Sequence, residues 1–147
     1  MRISTKGRYG LRALLVLARN FGQGPTLASG IAAQEEVSPK YLHALLNSLR
    51  TAGLVRSVRG SGGGYMLARS PNEIRLDEVI IALEGPIELV DCVGSPEICK
   101  RSATCPAHKV WTQLSDDLHR GLKRLTLADL AEDRPALARF AQARPSA

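Results

Sequence analysis

Apolar residues recur along the first third of the chain at helical intervals. Over residues 6–20 the run Ala13-Leu14-Leu15-Val16-Leu17-Ala18 is apolar on nearly every face, which predicts a helix buried on several sides. Ser4 or Thr5 is placed to cap it and Gly22-Gln23-Gly24-Pro25 breaks it, after which Thr26 stands ready to cap a short second helix through about Gln34. Ser38-Pro39 opens a third helix, with serine as cap and proline at the first helical position. In it Leu42, Leu45, Leu46 and Leu49 form one stripe for a core, and Gly53 sits where such a helix stops. The opposite face carries Lys40, His43, Asn47 and Arg50.

The period then shortens. Residues 54–58 and 65–68 read as two strands joined by Arg59-Gly60-Ser61-Gly62-Gly63-Gly64, a β-hairpin with a glycine-rich tip. A fourth helix over residues 76–83 follows Ser70-Pro71-Asn72, whereas residues 85–104 lack sustained periodicity and form a loop that something other than a core must organise. Pro106 starts a long helix to about Leu125, in which Trp111, Leu114, Leu118, Leu122 and Leu125 make a seam suited to a second helix, in particular one from another copy. His119, beside that seam, reads as a solvated residue. Thr126-Leu127-Ala128-Asp129 has the form of a capping box for a last short helix, and from Asp133 a tail rich in Pro, Ala and Arg is expected to fray.

A length of 147 residues suits about one domain and leaves no room for a large two-domain enzyme. With 44% apolar and only 4% aromatic residues, the core is mainly aliphatic. The net charge of +6 changes the picture more, because it is uneven: residues 1–60 carry nine basic and two acidic side chains, and the remainder eleven and twelve. The surplus points to a polyanionic partner for the first part and another task for the rest. The longest apolar run, Ala13 to Ala18, is far below the roughly 18 residues of a membrane-spanning helix. The N-terminus lacks the form of a secretory signal, so a cytoplasmic location without a membrane partner is expected.

Three helices followed by a hairpin, the third helix polar on its outer face, is the order of a winged helix-turn-helix. A helix that enters the major groove needs hydrogen-bonding side chains on its outward face, and Ser38, Lys40, Tyr41, His43 and Asn47 supply them. The hairpin tip offers a second contact through Arg59 and Ser61, with Arg59 suited to a narrow minor groove or to phosphates. Lys6, Arg8 and Arg12 add charge for the DNA backbone. A nucleotide-binding P-loop is the competing reading of the glycine run, but it requires Lys and then Ser or Thr after the last glycine, where this chain has Tyr65. A lone surface histidine at His43 and a solvated helix-end charge at Arg50 are equally good readings of those residues taken singly.

Cys92, Cys99 and Cys105 are separated by six and five residues, and His108 follows three positions after the last. In a reducing compartment an odd set of cysteines this close reads as metal-binding or redox-active rather than as a disulfide framework. Three thiolates and one imidazole complete a four-ligand set for an iron-sulfur cluster or for zinc. Cys105 falls at the cap of the long helix and His108 in its first turn, where the dipole favours thiolate.

Residues 1–13, with Met1-Arg2-Ile3-Ser4-Thr5-Lys6-Gly7-Arg8-Tyr9-Gly10-Leu11-Arg12-Ala13, then Ser38-Pro39-Lys40-Tyr41-Leu42, then Gly53-Leu54-Val55-Arg56-Ser57-Val58-Arg59-Gly60-Ser61-Gly62-Gly63-Gly64-Tyr65, resemble the winged-helix iron-sulfur regulators typified by IscR and NsrR. The likeness runs to about Glu132. It implies a homodimeric cytoplasmic transcription factor on a pseudo-palindromic double-stranded operator, not an enzyme, with the long helix crossing to the partner. It also implies an iron-sulfur cluster on Cys92, Cys99 and Cys105. The ending Cys105-Pro106-Ala107-His108 resembles the IscR pattern, in which histidine is the fourth ligand of a 2Fe-2S centre. The NsrR branch completes a 4Fe-4S cluster with an acidic residue near the partner's N-terminus, where this chain has Arg8 and no carboxylate before Glu35. The interval between the first two cysteines is one residue longer than the family's usual one, and Glu97 is a further oxygen donor, so 4Fe-4S stays open. Structural zinc and a bare redox-thiol switch are the alternatives at the same cysteines.

The expected fold is therefore mainly α with a small β-hairpin. A winged helix-turn-helix occupies residues 1–84, a cysteine-rich cluster-binding loop 85–105, a dimerisation helix and short terminal helix 106–132, and a disordered tail 133–147.

Overall fold

The computed structural model describes residues 3–132; the tail expected from Asp133 lies outside them. Helix α1 (Thr5–Arg19) is capped by Ser4, whose hydroxyl accepts from the amides of Lys6 and Gly7. Its residues Ala13, Leu14, Val16, Leu17 and Ala18 are buried, as a helix apolar on most faces must be. After α2 (Ala28–Gln34) comes α3 (Pro39–Thr51), where Ser38 Oγ accepts from the Tyr41 amide at 3.2 Å and Pro39 takes the first helical position. The four leucines of the α3 stripe are each at most 1% exposed and lie in the centre of the core.

Strands β1 (Val55–Val58) and β2 (Gly64–Leu67) pair antiparallel, with Val55 opposite Leu67 and Val58 opposite Gly64. This register turns Val55 and Leu67 inward onto α1 and α3 and leaves the tip outside. A 3-10 turn (Pro71–Glu73) leads to α4 (Leu76–Glu84). The aperiodic stretch contains a single turn of helix, α5 (Asp91–Gly94), and a 3-10 turn (Pro96–Ile98) before α6 (Pro106–Lys123) and α7 (Leu127–Ala131).

Three features go beyond the sequence pattern, and two of them, at Thr26 and His119, differ from it. Thr26 does not cap α2: its amide donates to the Tyr65 carbonyl and its carbonyl accepts from the Tyr65 amide, both at 2.8 Å. A β-branched residue in extended backbone is better used beside a strand, and Leu27 takes the cap position with no side-chain bond. The last short helix is present, opened by the expected Thr126–Asp129 capping box, but the spacing did not show where it packs. The Leu76 amide donates to the Leu125 carbonyl at 2.9 Å and the Leu127 amide to the Ile74 carbonyl at 2.8 Å, which returns the chain to the core, where Leu127 is fully buried. His119 is not merely solvated: its Nε2 lies 3.3 Å from Oδ2 of Asp77, a carboxylate 4% exposed that also accepts from Arg75 Nε at 3.1 Å. Burial of Asp77 at the α4–α6 contact requires such partners.

Candidate nucleic-acid interface and cysteine loop

The outward face of α3 carries the side chains expected to read DNA. Ser38, Lys40, His43 and Asn47 are exposed there, and Arg59 and Ser61 are exposed on the hairpin tip. Lys6 is exposed in the first turn of α1. Tyr41 is half-buried, its ring edge-on to Tyr9 at 6.3 Å. Arg12 is exposed, with its guanidinium over the Tyr9 ring at 5.2 Å and paired with Glu35, a carboxylate only 7% exposed. The pair ties α1 to the turn before α3.

Wing and α3 are joined. The Tyr65 hydroxyl stands 3.4 Å from His43 Nδ1, with ring centres 6.2 Å apart, so β2 supports α3 beside an open groove of about 400 Å³ lined by Leu27, Ser29, His43, Ser57, Gly60 and Tyr65. Asn47 Oδ1 accepts from Arg50 Nη2 at 2.7 Å, which directs the amide of Asn47. The glycines of the tip differ in their surroundings. A Cβ on Gly63 would lie 2.3 Å from the Val58 carbonyl oxygen and one on Gly64 2.3 Å from that of Thr26, so these two are needed for the wing to close on its neighbours. An added Cβ at Gly60 or Gly62 would meet nothing within 4 Å, and Gly60 has φ of 105°, a region L side chains rarely adopt. From the spacing alone this division was invisible.

Cys92 lies in α5, Cys99 follows the second 3-10 turn and Cys105 is the N-cap of α6; all three are half-buried thiols without a disulfide. His108 Nε2 lies 2.9 Å from the Cys92 carbonyl oxygen. A carbonyl only accepts, so Nε2 bears the hydrogen and Nδ1 of the neutral ring keeps its lone pair. Metal-bound histidines are commonly held this way, with one nitrogen donating to a backbone carbonyl and the other free for the metal. The Leu89 amide donates to Ser115 Oγ at 3.1 Å, fastening the start of the loop to α6. Among the described residues no group of three or more His, Cys, Asp or Glu side chains stands close enough to hold a metal ion. The donor set fits an iron-sulfur cluster or zinc in its chemistry, while its side chains do not converge. Glu97 is exposed beside them.

On α6, Val110, Trp111 and Leu114 are 54%, 40% and 44% exposed, and Ile98 of the loop is 60% exposed. Leu118 and Leu122 are half-buried and Leu125 is buried, so the seam expected on this helix runs from the core out to solvent.

The family model described as the Rrf2 iron-dependent transcriptional regulator matches residues 3–133. The chain belongs to the Rrf2 family. This Rrf2 protein is a DNA-binding transcriptional regulator and not an enzyme. It is 42% identical over 131 residues to the transcriptional regulator CymR of Bacillus subtilis, covering 89% of this chain and 90% of that protein. The solved structure of that protein, described as the global cysteine regulator, superposes with a TM-score of 0.74 at 41% identity over 90% of this chain and 97% of the other. The Rrf2 chain is also 38% identical over 137 residues to the transcriptional regulator IscR of Pectobacterium carotovorum, covering 93% and 83%. The structure of T. potens IscR matches with a TM-score of 0.73 at 36% identity, over 99% of this chain and 94% of that one. Winged-helix fold, hairpin and long α6 are thus common ground. Among the described residues no helix of this Rrf2 protein is long and apolar enough to cross a membrane.

Proposed function

We propose that this cytoplasmic regulator binds a pseudo-palindromic double-stranded operator as a homodimer, with its affinity set by an iron-sulfur cluster held by Cys92, Cys99, Cys105 and His108. The observation that carries the sensing part is the hydrogen bond from His108 Nε2 to the Cys92 carbonyl, which leaves the Nδ1 lone pair available to a metal, on a chain whose three cysteines are outside any disulfide. A 2Fe-2S centre suits one nitrogen and three sulfurs; 4Fe-4S is the second form of the same proposal. When bound, the cluster supplies a cross-link that redox change, nitric oxide or loss of iron breaks. The protein's own part is the loop of residues 92–105, whose short turns bury little apolar surface and which is ordered or released with its ligands.

In this reading α3 inserts Lys40, Tyr41, His43 and Asn47 into the major groove with Ser38 at its cap, Arg59 and Ser61 engage from the wing, and Lys6 meets the DNA backbone. The exposed α6 face of Val110, Trp111 and Leu114 pairs with the same face of a second copy, which sets the spacing of the two reading helices. Loop order shifts the population between dimer geometries that fit the operator and those that do not.

Anaerobically purified protein is expected to contain iron and sulfide and to show a visible chromophore that replacement of all three cysteines by alanine removes from a folded dimer. Operator affinity of the cluster-bound and cluster-free forms, compared at one fixed salt concentration, is expected to differ. Stoichiometric zinc without iron or sulfide overturns the cluster assignment, and equal affinities overturn the sensor role.

Three half-buried thiols free of any disulfide also support a second reading, a bare redox-thiol switch. It predicts that metal-free protein changes operator affinity on mild oxidation to a disulfide and recovers on reduction, with His108 dispensable.

A further inference from the structure

Residues Ser4, Gly7 and Gly10 of the N-terminal motif meet the last turn of α4. Glu84 Oε1 accepts from the Ser4 amide at 3.1 Å and from the Ser4 hydroxyl at 2.7 Å. Because that hydroxyl hydrogen is directed at Glu84, the Ser4 oxygen keeps its lone pairs for the amides of Lys6 at 3.1 Å and Gly7 at 3.4 Å. Helix α1 has no acidic residue in its first turn, so the carboxylate that its N-terminus favours comes from a residue 80 positions away. Two glycines admit it. A Cβ on Gly7 would lie 2.2 Å from Glu84 Oε1, and one on Gly10 2.5 Å from Leu83 Cδ1.

The same carboxylate stands at the threshold of the cysteine loop. Gly85, next in the chain, leaves α4 with φ of 93°, a region L side chains rarely adopt, and Ile87 is already buried again. Leu89 and Cys92 are then bonded to Ser115 and His108 of α6. Five positions thus separate Glu84 from Leu89, where the loop is first fastened to α6.

We propose that Glu84 is a positioning residue that transmits the state of the cysteine loop to the first turn of α1, by holding or releasing Ser4, and so sets the place of Lys6. This rests on the roles given above to the loop and to Lys6. The capped and released first turn are the two states, and the coupling is their difference in free energy between loop conformations.

Amide hydrogen exchange at Lys6 and Gly7 tests it, resolved by NMR on the full-length, reduced, metal-free chain before and after its thiols are alkylated with N-ethylmaleimide. In the wild type, alkylation is expected to speed exchange there by about fivefold, the size of one lost cap. In Glu84→Ala exchange is already fast by about the same factor and no longer responds. Glu84→Gln, which keeps an acceptor oxygen and the side-chain shape, restores a response, and Ser4→Ala abolishes it as Glu84→Ala does. An unresponsive wild type, or an equal response in Glu84→Ala, overturns the proposal. Operator affinity of the same samples separates the two levels: an exchange response without a change in affinity removes the sensor reading and leaves Glu84 its role, whereas a change in affinity without an exchange response does the reverse.

Discussion

His108 in the first turn of α6 donates from Nε2 to the main-chain carbonyl of Cys92 in α5, at 2.9 Å. The bond joins two of the four proposed ligands through backbone, not through their donor atoms, and it selects one tautomer of the ring. In metal-free protein, long-range proton–nitrogen correlation spectra are expected to report His108 as the Nε2–H form. His108→Ala is expected to retain iron on three thiolates, with an altered visible spectrum and faster loss in air than the wild type. A spectrum and lifetime identical to the wild type would remove His108 from the ligand set.

Arg59 is exposed at the tip of the hairpin, away from the cysteines in the chain and outside the core. Arg59→Ala is expected to weaken operator binding by about tenfold, with cluster content unchanged. If the contact is to phosphate, the slope of log affinity against log salt also flattens by about 1.8, since each of the two protomers loses one contact. Titrations of a labelled operator at several salt concentrations measure both.

Gly63 and Gly62 are neighbours with opposite surroundings. A Cβ at Gly63 meets the Val58 carbonyl oxygen, while one at Gly62 meets nothing within 4 Å. Gly63→Ala is expected to cost about 1–3 kcal/mol by overpacking and to open the wing, whereas Gly62→Ala stays within about 0.5 kcal/mol. Urea unfolding midpoints of the two variants decide this, and equal midpoints would contradict the packing described for the wing.

Leu114 and Trp111 project from α6 with 44% and 40% of their surface exposed. Leu114→Asp places a charge in the proposed two-fold seam, which is expected to yield a folded monomer by sedimentation and circular dichroism, with operator binding lost. A dimer that persists at micromolar concentration would place the interface elsewhere.

Much of this fold was legible in local patterns. The α3 stripe, its Ser38-Pro39 start and the break of period at the hairpin each depend on residues a few positions apart, where backbone geometry makes spacing equivalent to facing. The reading of α6 as a helix with one apolar seam has the same origin. Thr26, His119 and the return of Leu127 to the core were not legible, because each depends on a partner brought close only by folding: Tyr65, Asp77 and Ile74. Arg12 illustrates the same limit in charge, since its pairing with the buried Glu35 is a contact that no spacing in the sequence shows.

Taken alone, the amino-acid order determined a basic winged helix, a long amphipathic helix and a cluster of thiols with one imidazole, since composition, period and ligand type are local properties. Tertiary structure decided which glycines close the wing and which face outward, how His108 is oriented, and that Glu84 reaches back to cap α1. Those are relations between segments distant in the chain, set by which surfaces the buried leucines bring together, and no spacing in the sequence encodes them.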